Sequence, residues 1–211
     1  MQDVKKLLLD NKKNKFIAIF LTMLLFLTGC SFKDLFVQEN EKIEYLEGKV
    51  NVEITVQDYG VIKLELDADT APITVTNFVN LANEGFYDGL TFHRIVSGFM
   101  IQGGDPNHNG TGGSGQTIKG EFASNGVENN ISHVRGVISM ARSNDPDSAT
   151  SQFFIVHQDS TFLDGSYAAF GHVTEGMEVV DKIVEQVNPT EEDIEIAYEN
   201  QPVITSIRVV D

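Results

Sequence analysis

Between Val50 and Leu66 the apolar residues fall on every second position, and this alternation constrains the fold more tightly than any other feature of the chain. Val50, Val52, Ile54 and Val56 share one face, with Asn51, Glu53 and Thr55 on the other. Asp58-Tyr59-Gly60 turns the chain, and Ile62, Leu64 and Leu66 then alternate with Lys63 and Glu65. A period of two with one apolar face describes a half-buried hairpin rather than a helix. A hairpin alone is marginal in water, so this face must be covered by further strands or helices.

The period then becomes helical. Pro72 suits a first turn, Val75, Phe78, Val79 and Ala82 recur on one helical face, and Gly85 follows as a stop. Val180, Ile183, Val184 and Val187 predict a second helix with the same spacing. Short strands are expected near 91–95, 99–103, 136–140, 153–156, 169–173 and 204–210. Periodicity supports a small, mainly-β domain with two helices and goes no further. Two segments stand outside it. Gly103 to Gly120 carries seven glycines in eighteen residues and is expected to be a long loop, ordered or mobile. Asn188 to Pro202 holds Glu191, Glu192, Asp193, Glu195 and Glu199, and is expected to be a surface excursion without an assignable role.

The front of the chain lies outside this domain. Lys5, Lys6, Lys12, Lys13 and Lys15 precede an apolar run, Phe16 to Leu27, broken only by Thr22. The run is too short to span a bilayer, and the order of basic, apolar and small residues is that of a secretory signal. Leu27-Thr28-Gly29-Cys30 resembles a lipobox, in which the cysteine is acylated and the chain is cut just before it. Cys30 is also the sole cysteine, so no intramolecular disulfide can form. The expected organisation is a signal peptide at 1–29, a tether at 30–49 and a domain at 50–211. A lipid anchor at Cys30 would hold the domain at the extracytoplasmic face of the cell membrane, as a monomer.

Removing residues 1–29 takes five lysines and two aspartates from 15 basic and 31 acidic residues, leaving a net charge of −19. Such a surface repels nucleic acid, so none is expected as a partner. The acidity suits either plain solubility or capture of basic unfolded segments. The glycine loop lacks the Gly-Lys-Ser/Thr ending of a phosphate cradle. The histidines at 93, 108, 133, 157 and 172 show no ligand-like spacing, so no metal or cofactor is expected. Asp145, Asp147 and Asp164 lie beside Pro146 and Gly165, where acids commonly cap turns.

Three stretches carry chemistry. Phe92-His-Arg-Ile-Val-Ser-Gly-Phe-Met-Ile-Gln-Gly-Gly-Asp-Pro106 places a guanidinium, Arg94, near an apolar pair and an amide. Ser139-Met-Ala-Arg-Ser-Asn-Asp-Pro-Asp-Ser-Ala-Thr-Ser-Gln-Phe-Phe-Ile155 and Phe162-Leu-Asp-Gly-Ser-Tyr-Ala-Ala-Phe-Gly171 follow in order. Together they resemble the cyclophilin family of peptidyl-prolyl cis-trans isomerases in its bacterial form, over roughly Asn51 to Val210.

The resemblance implies a closed eight-stranded antiparallel β-barrel capped by two helices, and proline-containing polypeptides as substrates. It implies that Arg94, Phe99, Gln102 and Phe154 carry catalysis. It also implies that Met100, Gly112, Ala141, Arg142, Gln152, Phe162, Leu163 and Tyr167 bind substrate. Within that set, Phe99, Met100, Phe154 and Leu163 would line a proline pocket, and Gln102 and Gln152 would meet the substrate backbone. Gly112 would border the groove. Each has a plainer reading: a strand arginine can pair with an acid at the barrel rim, apolar strand residues can be ordinary core, and glutamines can satisfy barrel-end backbone. Phe162 stands where many members have tryptophan, Tyr167 where many have histidine, and Arg142 where eukaryotic members commonly have asparagine. Turning an X-Pro bond breaks no covalent bond, so neither nucleophile nor metal is required.

Overall fold

The computed structural model describes Glu44 to Val187 and Ile196 to Val210. The expected signal peptide, the expected acylation site Cys30, most of the expected tether and residues 188–195 of the acidic segment lie outside the described residues.

Eight strands form one antiparallel sheet. β1 (Lys49–Val56) and β2 (Gly60–Asp67) make the expected hairpin, with Val52 opposite Leu64 and Ile54 opposite Ile62. Asp58 at φ 64° and Gly60 at φ 138° turn it. Glycine is required at 60, since a Cβ there would stand 3.0 Å from Val179 Cγ2. The remaining strands are β3 (Phe92–Val96), β4 (Met100–Gly103), β5 (Val137–Met140), β6 (Phe153–Val156), β7 (Ala169–Glu175) and β8 (Ile204–Val210). Their order across the sheet is β3-β4-β6-β5-β7-β2-β1-β8. The ordered domain reaches back before residue 50. Leu46 packs on the core and donates its N–H to Thr76 Oγ1 at 2.9 Å.

α1 (Pro72–Asn83) starts at the expected proline and buries Val75, Phe78, Val79 and Ala82. Its first turn has no side-chain cap of its own. Glu121, buried and 47 residues away, supplies one: Oε1 accepts from Ile73 N at 3.0 Å, and Oε2 accepts from Thr74 N and Oγ1 at 2.8 and 2.7 Å. A carboxylate at this end satisfies orphan donors and meets the positive pole of the helix dipole. α2 (Met177–Val187) buries Val179, Val180, Ile183 and Val184.

Both helices seal one core. Phe78 of α1 lies 5.1, 5.4 and 5.3 Å, centroid to centroid, from Tyr87, Phe153 and Phe170. Burying each such side chain contributes about 1.5–3 kcal/mol.

The closed barrel implied by the resemblance is corrected to an open half-barrel. Edge strands β3 and β8 share no ladder among the described residues. They approach only where Thr91 bridges Val203, flanked by Phe92 N to Pro202 O at 3.0 Å and Ile204 N to Leu90 O at 2.7 Å. Beyond Phe92 the free edge of β3 is met by another segment, with Ile196 N donating to His93 O at 3.1 Å. A loop thus covers the edge that a closing strand would have paired. Of the acidic segment, the described residues 196–202 touch the domain through Ile196 and Gln201, while 197–200 stay exposed. Ile196 and Gln201 are buried, and Gln201 Nε2 donates to Ile196 O and His108 O at 2.7 and 3.0 Å.

Candidate active site

Strand register builds the site. Arg94 on β3 pairs with Gln102 on β4, Gln102 with Phe154 on β6, and Phe154 with Ser139 on β5. Directly paired residues point to one face of a sheet, so these four form a row across four strands. The neighbouring row Ile95, Ile101, Ile155 and Ile138 points the other way, into the main core. Site and core therefore occupy opposite faces. A second, smaller apolar cluster grows on the site face from Met100, Phe154 and Leu163, with Phe99, Ala141 and Tyr167 partly buried against it. Phe162 is 74% exposed, and its ring lies 5.6 Å from that of Phe99.

Arg94 overlooks this cluster, its guanidinium carbon 5.9 Å from the Phe99 ring centroid. No carboxylate lies within ion-pair distance among the described residues. Its Nη1 donates to Gln102 Oε1 at 3.3 Å, while the buried Nε has no acceptor among the described residues. Partial burial pulls the guanidinium below its usual pKa, and Tyr167 nearby opposes that pull. Arginine nevertheless stays protonated at any working pH. An unspent donor held in a partly dry place costs about 1–3 kcal/mol, which the fold tolerates only when the rest of the structure fixes it. The arginine is not the acid-paired rim residue of the plainer reading.

Gln102 continues a chain of amides. Its Nε2 donates to Gln152 Oε1 at 2.8 Å, and Gln152 Nε2 donates to Gly110 O and Gly112 O at 3.1 and 2.8 Å. Both N–H groups of Gln152 are thereby committed to the glycine loop. Gln102 keeps one N–H without a partner among the described residues.

The glycine loop is ordered, around the buried Asp105. Its carboxylate accepts from Asn107 N, Asn109 N and Gly110 N at 2.8, 3.0 and 2.5 Å. Burial pushes this carboxyl up, but the three N–H groups and His93 outweigh it and hold it below the usual carboxylate range. Gly112 must be glycine here, since a Cβ would fall 2.1 Å from Asp105 Oδ1. A cavity of about 390 Å³ opens between this loop and Ala141, Arg142 and Thr150, with Gln102 and Gln152 as its border. Phe99, Met100, Phe154, Leu163 and Tyr167 do not line it. The groove thus has an apolar floor under Arg94 and a separate polar compartment beside it.

Arg142 separates parts of this surface. Its Nε and Nη2 donate to Ser166 O at 3.1 and 2.9 Å, and Nη1 to Ser143 O at 2.8 Å. The guanidinium stands 5.1 Å from the Phe122 ring centroid and 4.7 Å from that of Tyr167.

Behind the apolar floor runs a relay with no sequence signature. His133 Nδ1 lies 2.9 Å from Asp164 Oδ1, and Nε2 lies 3.0 Å from Ser139 Oγ. The His133 ring stacks on Phe154, 6.1 Å between centroids at 17°. Burial pulls the imidazole below its ordinary pKa, although Asp164 opposes this. The neutral tautomer that donates from Nδ1 to Asp164 and accepts from Ser139 satisfies all three groups. Ser139 is fully buried, so this Ser-His-Asp arrangement offers no nucleophile to a substrate. Six positions separate His133 from Ser139 in sequence, and only the fold reveals their contact. Of the three acids expected to cap turns, Asp145 does so, its Oδ1 accepting from Asp147 N at 3.0 Å, whereas Asp147 Oδ1 and Asp164 Oδ1 accept from distant backbone, Gly120 N at 3.0 Å and His133 N at 2.7 Å.

Residues 51–209 match the family described as cyclophilin type peptidyl-prolyl cis-trans isomerase/CLD. The chain is 50% identical over 123 residues to peptidyl-prolyl cis-trans isomerase B of Bacillus subtilis, covering 58% of this chain and 82% of that protein. It is 42% identical over 164 residues to isomerase A of Dickeya dadantii, covering 72% and 80%. Among solved structures, a Cryptosporidium parvum cyclophilin determined in the presence of the dipeptide Ala-Pro superposes with a TM-score of 0.67 at 30% identity. That match covers 76% of this chain and 99% of the other.

Proposed function

The chain belongs to the cyclophilin-type peptidyl-prolyl cis-trans isomerases, and we propose that it turns X-Pro bonds with Arg94 as the electrostatic catalyst. The observation that carries this role is the Arg94 guanidinium, paired with no acid and with a buried Nε unspent among the described residues, facing an apolar cluster of Phe99, Met100, Phe154 and Leu163.

The chemistry follows from amide resonance. Rotation about a peptide bond faces a barrier of about 18–20 kcal/mol because the nitrogen lone pair is delocalised. An apolar floor holds the pyrrolidine ring while the acyl side rotates. As rotation proceeds the lone pair localises on nitrogen, and a fixed cation aimed there stabilises the twisted state more than the planar one. Each 1.36 kcal/mol of such preference is tenfold in rate. Gln102, with one N–H remaining, fits a carbonyl of the extended chain. Phe162 and Tyr167 flank the floor. An X-Pro dipeptide is also the compound in whose presence the Cryptosporidium relative's structure was determined. Exchange spectroscopy on an X-Pro peptide, with wild-type enzyme and Arg94→Ala, tests the assignment.

The proposed workplace is outside the cytoplasm, on exported or surface chains, with the domain monomeric and tethered through acylated Cys30. The lysine cluster, the short apolar run and Leu27-Thr28-Gly29-Cys30 support that reading. Prolyl isomerisation takes tens to hundreds of seconds uncatalysed and needs no nucleotide when catalysed, which suits a compartment without ATP. Mass spectrometry of the membrane fraction tests the anchor. Diacylglyceryl on Cys30 of the wild type and an unlipidated Cys30→Ser protein are expected.

A further inference from the structure

The chain has four arginines, and they divide by location. Arg135 and Arg208, which belong neither to the cavity lining nor to the apolar cluster, pair with Asp181 at 2.7 Å and Asp88 at 2.5 Å. Arg94 and Arg142, at the groove, have no carboxylate within 4.0 Å among the described residues. Arg142 is the only charged residue lining the cavity beside the glycine loop. Its hydrogen bonds go to backbone carbonyls of Ser143, Asn144 and Ser166, which orient the guanidinium without neutralising it. The rings of Phe122 and Tyr167 fix its plane. Of its five N–H groups, one on Nη2 has no acceptor among the described residues.

We infer that Arg142 is a specificity-determining residue, giving this isomerase a preference for X-Pro segments that carry a carboxylate within two residues of the proline. The inference rests on the proposed seating of proline beneath Arg94. The cavity shares Gln102 with that seat, and an extended chain advances about 3.3–3.6 Å per residue, so one or two residues lead from one compartment to the other. A neighbouring acidic side chain would enter a compartment whose other walls are glycines, Ala141, hydroxyls and amides, with a pre-oriented cation. The net charge of −16 for the whole chain opposes acidic partners at long range. At physiological salt, however, exposed charges are screened beyond about 8 Å, so the local cation decides within the groove.

Blocked X-Pro peptides with Glu, Gln or Lys, placed in turn at the two positions before and the two after proline, provide the probe. At one or more of these positions, wild-type kcat/KM is expected to be about fivefold higher for Glu than for Lys at low salt. That ratio should fall toward one as ionic strength rises from about 0.01 M to about 1 M. Arg142→Met should bring the ratio to one, while Arg142→Lys, which keeps the charge but loses the planar fork, should retain most of it. A purely structural arginine predicts that both variants lose activity together and leave the ratio unchanged. That result, or a wild-type ratio of one at every position, overturns the inference. Should either variant fail to fold, the wild-type ratio and its salt dependence still decide. Turnover of the uncharged Gln peptides reports the isomerase seat separately, so its failure cannot be mistaken for a failure of selectivity.

Discussion

Gln102 donates to Gln152 Oε1 at 2.8 Å, and through this bond the arginine at the groove is tied to the glycine loop. Arg94 anchors one end of the chain, and the carbonyls of Gly110 and Gly112 anchor the other. Gln152→Ala should release the loop carbonyls and leave Gln102 without its acceptor. This part-buried amide chain positions Gln102 for substrate, and a loss of about 1.4 kcal/mol of transition-state stabilisation would lower kcat/KM about tenfold. Steady-state kinetics together with amide exchange of residues 104–115 would check this, with faster exchange in the variant.

His133 gives the fold a pH dependence of definite sign. Burial lowers its folded pKa below the ordinary value of 6.5, so the unfolded chain binds a proton that the folded chain refuses. This contribution is fully present above about pH 6.5 and is lost as pH falls through the folded pKa. Denaturant midpoints should therefore decline on mild acidification. His133→Phe, which keeps the stack on Phe154 but leaves Ser139 and Asp164 without the ring nitrogens, should be less stable by about 1–3 kcal/mol and should lack that part of the decline. If the variant follows the same pH curve as wild type, His133 is not the responsible group.

Glu121 holds α1 from a distance. Glu121→Ala should remove the acceptors of Ile73 N, Thr74 N and Thr74 Oγ1. A lost helix cap costs about 0.5–2 kcal/mol, and here the donors lie near or within the core, so the upper part of that range is expected. Calorimetry should record a Tm lower by about 4–8 °C, at about 2–4 °C per kcal/mol for a domain of this size.

Much of the architecture was readable from periodicity. The hairpin and both helices fall close to their expected places because each buries one face and so writes a period of two or 3.6 into the sequence, and the six later strands also lie close to where they were expected. β6 shows why the site was less legible. Phe153-Phe154-Ile155-Val156 is buried throughout: Phe153 and Ile155 face the main core, while Phe154 and Val156 face the site cluster. Without the resemblance, such a run cannot tell pocket from core. Closure was overestimated, since strand count does not reveal that Ile196, rather than a strand of the opposite edge, would cover β3. Asp105, Glu121 and the His133 relay were invisible for a related reason. Their partners are backbone groups or lie on distant elements, and neither leaves a spacing pattern.

The most direct test follows cis-trans exchange of an X-Pro peptide by NMR in the presence of wild-type protein and of Arg94→Ala, with circular dichroism confirming that both are folded. Exchange should be rapid with wild type and slower by about 10²–10³-fold in the variant, the scale on which removing one pre-oriented donor acts. Exchange sustained by folded Arg94→Ala at the wild-type rate would contradict the role assigned to Arg94.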